Sequence, residues 1–248
     1  MDAPTDPLSV LVVQHGPQGG PRRVGGWLTE AGLELRVVHG YTGQEVPERP
    51  DGHAAVLVLG GGYLPDDDRR APWLAPTRRL VRAALDTGVP VLGICLGGQL
   101  LAHVAGGTVA ANSGAPEFGA TALTLRPEAA DDPLFHGLPG EVTAIERHVD
   151  RVTVLPPGAR WLAESRLCPH QAFRVGDRAW GTQFHPEVAA ARLAEWDPEP
   201  LRSRGLDPVD LARRAAAAEP AAEAVWRTVT RRFAQVVADT AGRGSGEG

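Results

Sequence analysis

The amino-acid sequence predicts an α/β protein: an open, mostly parallel sheet covered by helices, with a helical extension at the C-terminal end. Three observations predict it. Most apolar runs in the first half are continuous rather than alternating, as in strands buried on both faces. Those runs alternate with helical patterns. Glycines punctuate the ends of both kinds of segment. The chain has 248 residues, enough for one sizeable domain or a domain plus an extension.

Leu8 to Val13 reads as the first buried strand, followed by the turn-rich His15-Gly-Pro-Gln-Gly-Gly. A helix is predicted from Arg22 to Ala31, ending at Gly32. Leu33 to Val38 and Ala54 to Leu59 are the next strands, the latter running straight into Gly60, Gly61 and Gly62. A helix from about Leu74 to Thr87 stops at Gly88, and Val89 to Ile94 forms a strand that ends at Cys95. Gly98 to Ala105 is a short helix. The second half changes character. Thr121 to Arg126, Val142 to His148, Trp161 to Glu164, Gln171 to Val175 and Ala179 to Phe184 read as short strands, some of them antiparallel additions. Asp207 to Ala218 and Ala221 to Ala241 read as two helices. The later one carries Trp226, Val229, Phe233 and Val237 as an apolar stripe suited to packing on the domain. The expected division is a domain over 1–197, a helical extension over 198–241 and a disordered tail over 242–248.

Composition excludes several functions. The net charge is −5 and no basic stripe is present, which argues against nucleic-acid binding. No apolar run reaches membrane-spanning length. The opening MDAPTDPLS has no early positive side chain and does not read as a signal peptide. Two cysteines make no disulfide framework, so a cytoplasmic protein with reduced thiols is expected. The chain has no lysine, which rules out a P-loop and Schiff-base chemistry. No cofactor and no metal is expected; Cys168-Pro-His170 is too sparse for a zinc site.

The stretch VLGICLGGQLLAHVAGG, Val91 to Gly107, places Cys95 at a sharp strand-to-helix bend framed by Gly93, Gly97 and Gly98. Small neighbours permit a strained backbone there, and helix N–H dipoles favour a thiolate. The nucleophile elbow of hydrolases has the same layout with serine. The competing reading is a buried structural thiol. A base and an orienting group are supplied by WGTQFHPEV, Trp180 to Val188, where Glu187 follows His185 by two residues. His103 lies two turns along the helix behind the elbow, roughly 12 Å of axis, and is expected to pack rather than to react. Cys168 lacks a helix frame and reads as a structural thiol. The acidic and basic run Asp66 to Arg70 reads as a solvated loop.

With GICLGGQLLA and QFHPEV in the right order, the chain resembles the class I, triad-type glutamine amidotransferases over roughly Leu8 to Leu193. It is most similar to free-standing members that look like the glutaminase domain of GMP synthase. The resemblance implies a flavodoxin-like open sheet of the class I glutamine amidotransferase kind. It also implies that Cys95 attacks the glutamine side-chain amide, that His185 moves the proton, and that Glu187 orients His185. A γ-glutamyl thioester would form and water would release glutamate. The oxyanion would be held by the N–H of Leu96, which follows the nucleophile, and of Gly61, the second glycine of a loop that usually reads Gly-Gly-Pro. Gly62 stands where that proline is usual. Gln99 matches a family glutamine that contacts substrate. In ERHVDRV, Glu146 to Val152, Asp150 matches the family aspartate that helps hold the substrate's amino group. Arg147 replaces the usual serine in that segment, and Glu117 to Gly119 matches a family segment without an assigned role. Three functions are weighed: a glutaminase supplying ammonia to a separate synthetase, a hydrolase or transferase of γ-glutamyl compounds, and a catalytically silent binding module. The intact triad disfavours the last.

Overall fold

The structure, a computed structural model, describes residues 7–244. The expectations for the first six residues and for 245–248 lie outside the described residues.

The chain begins with β1 (Ser9–Gln14), α1 (Arg22–Glu30), β2 (Glu34–His39), β3 (Ala55–Val58), α2 (Leu74–Thr87), β4 (Val91–Ile94) and α3 (Leu96–Val104). The short β5 (Thr108–Ala110) follows, then β6 (Glu117–Leu125), β7 (Glu141–His148), β8 (Arg151–Val154), β9 (Arg160–Glu164), β10 (Ala172–Val175) and β11 (Ala179–Thr182). A one-turn helix α4 (Glu199–Arg202) leads to the long α5 (Pro208–Gly244).

The main sheet runs β2-β1-β3-β4-β11-β10-β9-β6-β7. The strands from β2 to β11 in that order pair in parallel, and those from β11 to β7 pair antiparallel. Continuous apolar strands follow from burial on both faces. Along β1, Val10 and Val12 join Trp27, Leu28, Trp226 and Phe233 on the side of α1 and α5. Leu11 and Val13 join Leu80, Leu96 and Leu100 on the side of α2 and α3.

The C-terminal segment departs from expectation. Asp207 to Ala218 and Ala221 to Ala241 are one helix, with Pro220 inside it, and the helix continues through Gly242 to Gly244. A proline inside a helix costs about 3 kcal/mol. Packing offsets this: Ala215, Ala222, Trp226, Phe233, Ala234 and Val237 are buried. Trp226 also donates its indole N–H to the Thr143 carbonyl at 2.8 Å and lies 4.5 Å, ring to ring, from Phe184. Burying an aromatic of this size contributes roughly 2–3 kcal/mol, so the docked face decides the helix despite the proline. The small pair β5–β8 was not predicted, because three or four residues of distant pairing leave no periodic signal. His103 is exposed on α3 instead of packing. The Asp66–Arg70 run is tied by ion pairs, Arg70 to Asp67 at 2.8 Å and Arg78 to Asp68 at 2.6 Å.

Candidate active site

Parallel strands end on the same edge of a sheet, and β1, β3, β4 and β11 are consecutive neighbours. Their C-terminal ends deliver His15, Gly60 to Gly62, Cys95 and His185 to one place, where open α/β sheets hold their ligands. A cavity of about 560 Å³ opens there.

Cys95 stands between β4 and α3 with φ 51° and ψ −108°, in the left-handed half of backbone space. A non-glycine residue in such a position stores roughly 1–3 kcal/mol, held in place by the surrounding structure. The glycine frame makes the bend possible. A Cβ on Gly97 would meet the Val58 carbonyl oxygen at 2.0 Å, and one on Gly98 would meet the Thr182 carbonyl oxygen at 2.5 Å. The α3 backbone is thus pressed against β3 and β11. Leu96 opens α3, so its N–H has no partner within the helix.

His185 follows β11 and gives its backbone N–H to the Ile145 carbonyl at 2.8 Å. Its Nδ1 lies 2.8 Å from Glu187 Oε1. The ring lies beside the Cys95 side chain, close enough for the sulfur to act on the charge of the imidazole. Burial opposes charge on His185, yet the Glu187 carboxylate and the Cys95 sulfur outweigh it and hold its pKa well above the ordinary 6.5. The structure therefore brings Cys95, His185 and Glu187 together on one wall of the cavity. Gly61 lines it too. A Cβ on neighbouring Gly60 would sit 3.0 Å from His185 Cε1 and 3.5 Å from Cys95 Cβ, which sets the glycine loop directly over the pair.

Gln99 and Asp150 are placed differently. Neither is among the residues lining the cavity. Gln99 is buried behind it and donates its amide to Gln183 Oε1 at 3.1 Å and to the Asp150 carbonyl at 3.2 Å. The Asp150 carboxylate accepts the Asn112 backbone N–H at 2.8 Å.

Several residues at the site were not singled out from sequence. Gln183 reaches the Cys95 sulfur with its amide at 3.7 Å. Strand alternation signals it, since it sits two residues before His185. His15 is buried on the cavity wall beside Gly61. Trp73 donates its indole N–H to His15 Nδ1 at 3.0 Å, so Nε2 carries the ring hydrogen. Burial drops the His15 pKa to about 4, which keeps it neutral at ordinary pH. Arg147 lines the cavity with its guanidinium 5.0 Å over the Trp196 ring, and burial lowers its pKa.

These features define a class of protein, and comparison with known proteins agrees. The model of the family described as glutamine amidotransferase class-I matches residues 27–205, and the chain belongs to that family. A glutamine-hydrolyzing GMP synthase of Thermus thermophilus is 45% identical over 134 residues, 54% of this chain and 24% of that protein. The chain thus spans about a quarter of the length of the first such GMP synthases it matches. From Archaeoglobus fulgidus, a protein named as one subunit of a glutamine-hydrolyzing GMP synthase is 39% identical over 162 residues, 65% of this chain and 79% of its own length. A glutamine amidotransferase structure from Methylobacillus flagellatus superposes with a TM-score of 0.81 at 27% identity, covering 92% of this chain and 94% of its own. One from Thermotoga maritima gives 0.83 at 24% identity, covering 93% of this chain and 100% of its own, which speaks to the fold. Among the described residues no helix is long and apolar enough to cross a membrane.

Proposed function

We propose that this chain hydrolyses the side-chain amide of glutamine through a cysteinyl thioester and passes the ammonia to a separate synthetase. The observation that carries it is the strained Cys95 at a helix start, beside an imidazole whose Nδ1 is held by Glu187 at 2.8 Å. Glu187 accepts the Nδ1 hydrogen and leaves Nε2 for the sulfur. The Cys95 thiolate attacks the amide carbon, and the N–H groups of Leu96 and Gly61 hold the oxyanion. His185 gives its proton to the departing ammonia, then takes one from the water that cleaves the thioester. Glutamate leaves and the thiol is restored. Gln99 anchors Gln183, whose amide reaches the sulfur, and the Asp150 carboxylate holds the Asn112 backbone N–H. The cytoplasm, where thiols stay reduced, suits a free reactive cysteine.

The separate partner is supported by the Archaeoglobus relative, whose name makes it one part of a larger enzyme. The test measures ammonia and glutamate from glutamine, with and without Cys95→Ala, alongside amine release from γ-glutamyl peptides. Stoichiometric ammonia and glutamate that vanish in the variant are expected. Turnover that survives Cys95→Ala, or preference for γ-glutamyl peptides over glutamine, would overturn the reading.

A further inference from the structure

A second group of reactive side chains lies behind the cavity wall. Glu117 on β6, Glu146 and His148 on β7, and Cys168 in the turn after β9 are 4%, 0%, 5% and 0% exposed. One ligand atom each from Glu117, His148 and Cys168 lies within 4.8 Å of the others.

Their hydrogen bonds do not close. His148 Nδ1 lies 3.1 Å from the Asp150 carbonyl oxygen, which can only accept, so Nδ1 carries the ring hydrogen. In a neutral ring Nε2 then presents a lone pair. It faces Glu117 Oε2 at 3.1 Å and Glu146 Oε2 at 3.5 Å, both acceptors. Among the described residues neither oxygen of Glu146 meets a donor. Gln171, beside it, gives its amide to Glu117 at 2.7 Å and to Ser165 at 3.2 Å, and its own carbonyl oxygen is unpartnered as well. Arg151, whose charge reaches Cys168, gives a guanidinium N–H to the Leu167 carbonyl. A lone pair turned towards the Glu117 carboxylate, beside the unpartnered Glu146 carboxyl, calls for positive charge among them in this dry interior.

We propose that Glu117, His148 and Cys168 bind one divalent transition metal of the zinc class, with the unpartnered Glu146 carboxyl beside it. Carboxylate, imidazole and thiolate together are the donor set such an ion takes, in tetrahedral geometry. At metal–ligand distances near 2.1 Å, tetrahedral ligand atoms stand about 3.4 Å apart, close to the 3.1 Å between His148 Nε2 and Glu117 Oε2. The Nδ1 contact to a backbone carbonyl is the outer bond that metal-bound imidazoles usually make. On binding, the Cys168 S–H proton passes to solvent and a sulfur–metal bond replaces it. The ion's two charges balance the Glu117 carboxylate and the Cys168 thiolate, and it ties β6, β7 and the Ser165–Cys168 turn together. Ile145, which takes the His185 N–H, directly precedes Glu146. The site therefore braces the strand that holds the base.

The test uses the full chain carrying Cys95→Ser, because Cys95 is the other thiol of the chain and would give its own cobalt band. Metal is measured by mass spectrometry after dialysis against zinc, and the cobalt(II) form by absorption. About one equivalent of zinc, a zinc-dependent rise in Tm and a near-ultraviolet thiolate-to-cobalt band are expected. Adding Cys168→Ala should remove the band and weaken zinc binding by roughly 10-fold or more. Under about 0.1 equivalent in Cys95→Ser, with no band and no Tm shift, overturns the site and leaves protons to fill the cluster. A band that persists in Cys168→Ala overturns it too.

Discussion

The molecule carries two buried cysteines, each near a histidine and a glutamate, and they differ in nearly everything else. Cys95 sits at φ 51° at the start of α3, on the wall of an open cavity, beside a histidine whose pKa is raised well above its ordinary value. Cys168 is fully buried in a turn, and burial, with Glu146 and Glu117 nearby, pushes its thiol up to about 12. The imidazole beside Cys95 has one carboxylate and can hold a proton against it. The imidazole beside Cys168 faces two carboxyl groups in a sealed interior. Neighbouring residue types are alike; backbone position, helix dipole and access set the two thiols apart.

The sharpest way to break this comparison is Cys95→Ala. Ammonia release should fall by about 10³-fold or more, because removing a nucleophile disables the triad as a unit. Labelling the unmodified chain with an electrophilic glutamine analogue extends the test: peptide mass spectrometry should find the adduct on Cys95, and an adduct on Cys168 alone would reverse the two roles. Gly97→Ala comes next. Its Cβ would run into the Val58 carbonyl, so denaturant unfolding should show a loss of about 2–3 kcal/mol, with the elbow displaced and turnover reduced.

Glu187→Gln should cost roughly 10²-fold in kcat, the order of a general acid–base contribution. It also bears on pH. The folded-state pKa of His185 lies above 6.5, so its protonated form adds stability that is complete below about pH 6.5. That stability is lost as pH rises through the raised value. Without the carboxylate the imidazole midpoint, followed by NMR, should move down and the window should narrow; an unmoved midpoint would assign the shift to the sulfur alone. The smallest effect is expected at Gly62, where an added Cβ meets nothing within 4 Å. Gly62→Ala should stabilise by about 0.4–1 kcal/mol, by reducing the freedom of the unfolded chain. Thermal unfolding measures it, and a loss instead would mean that the loop depends on a backbone conformation only glycine adopts.

Local patterns in the sequence determined the parallel half of the sheet, its helices, the bend at Cys95 and the His185–Glu187 step. Runs of apolar residues, glycine breaks and two-residue spacing are written in neighbouring positions, and short-range sterics act on them directly. Tertiary structure decided what depended on distant partners. Pro220 stays helical because Trp226 and Phe233 dock on the domain. Gln99 and Asp150 turn to Gln183 and Asn112 rather than to the cavity. Glu117, Glu146, His148 and Cys168 meet only when β6, β7 and the turn after β9 come together. Long-range pairing and burial set those contacts, and no stretch of neighbouring residues encodes them.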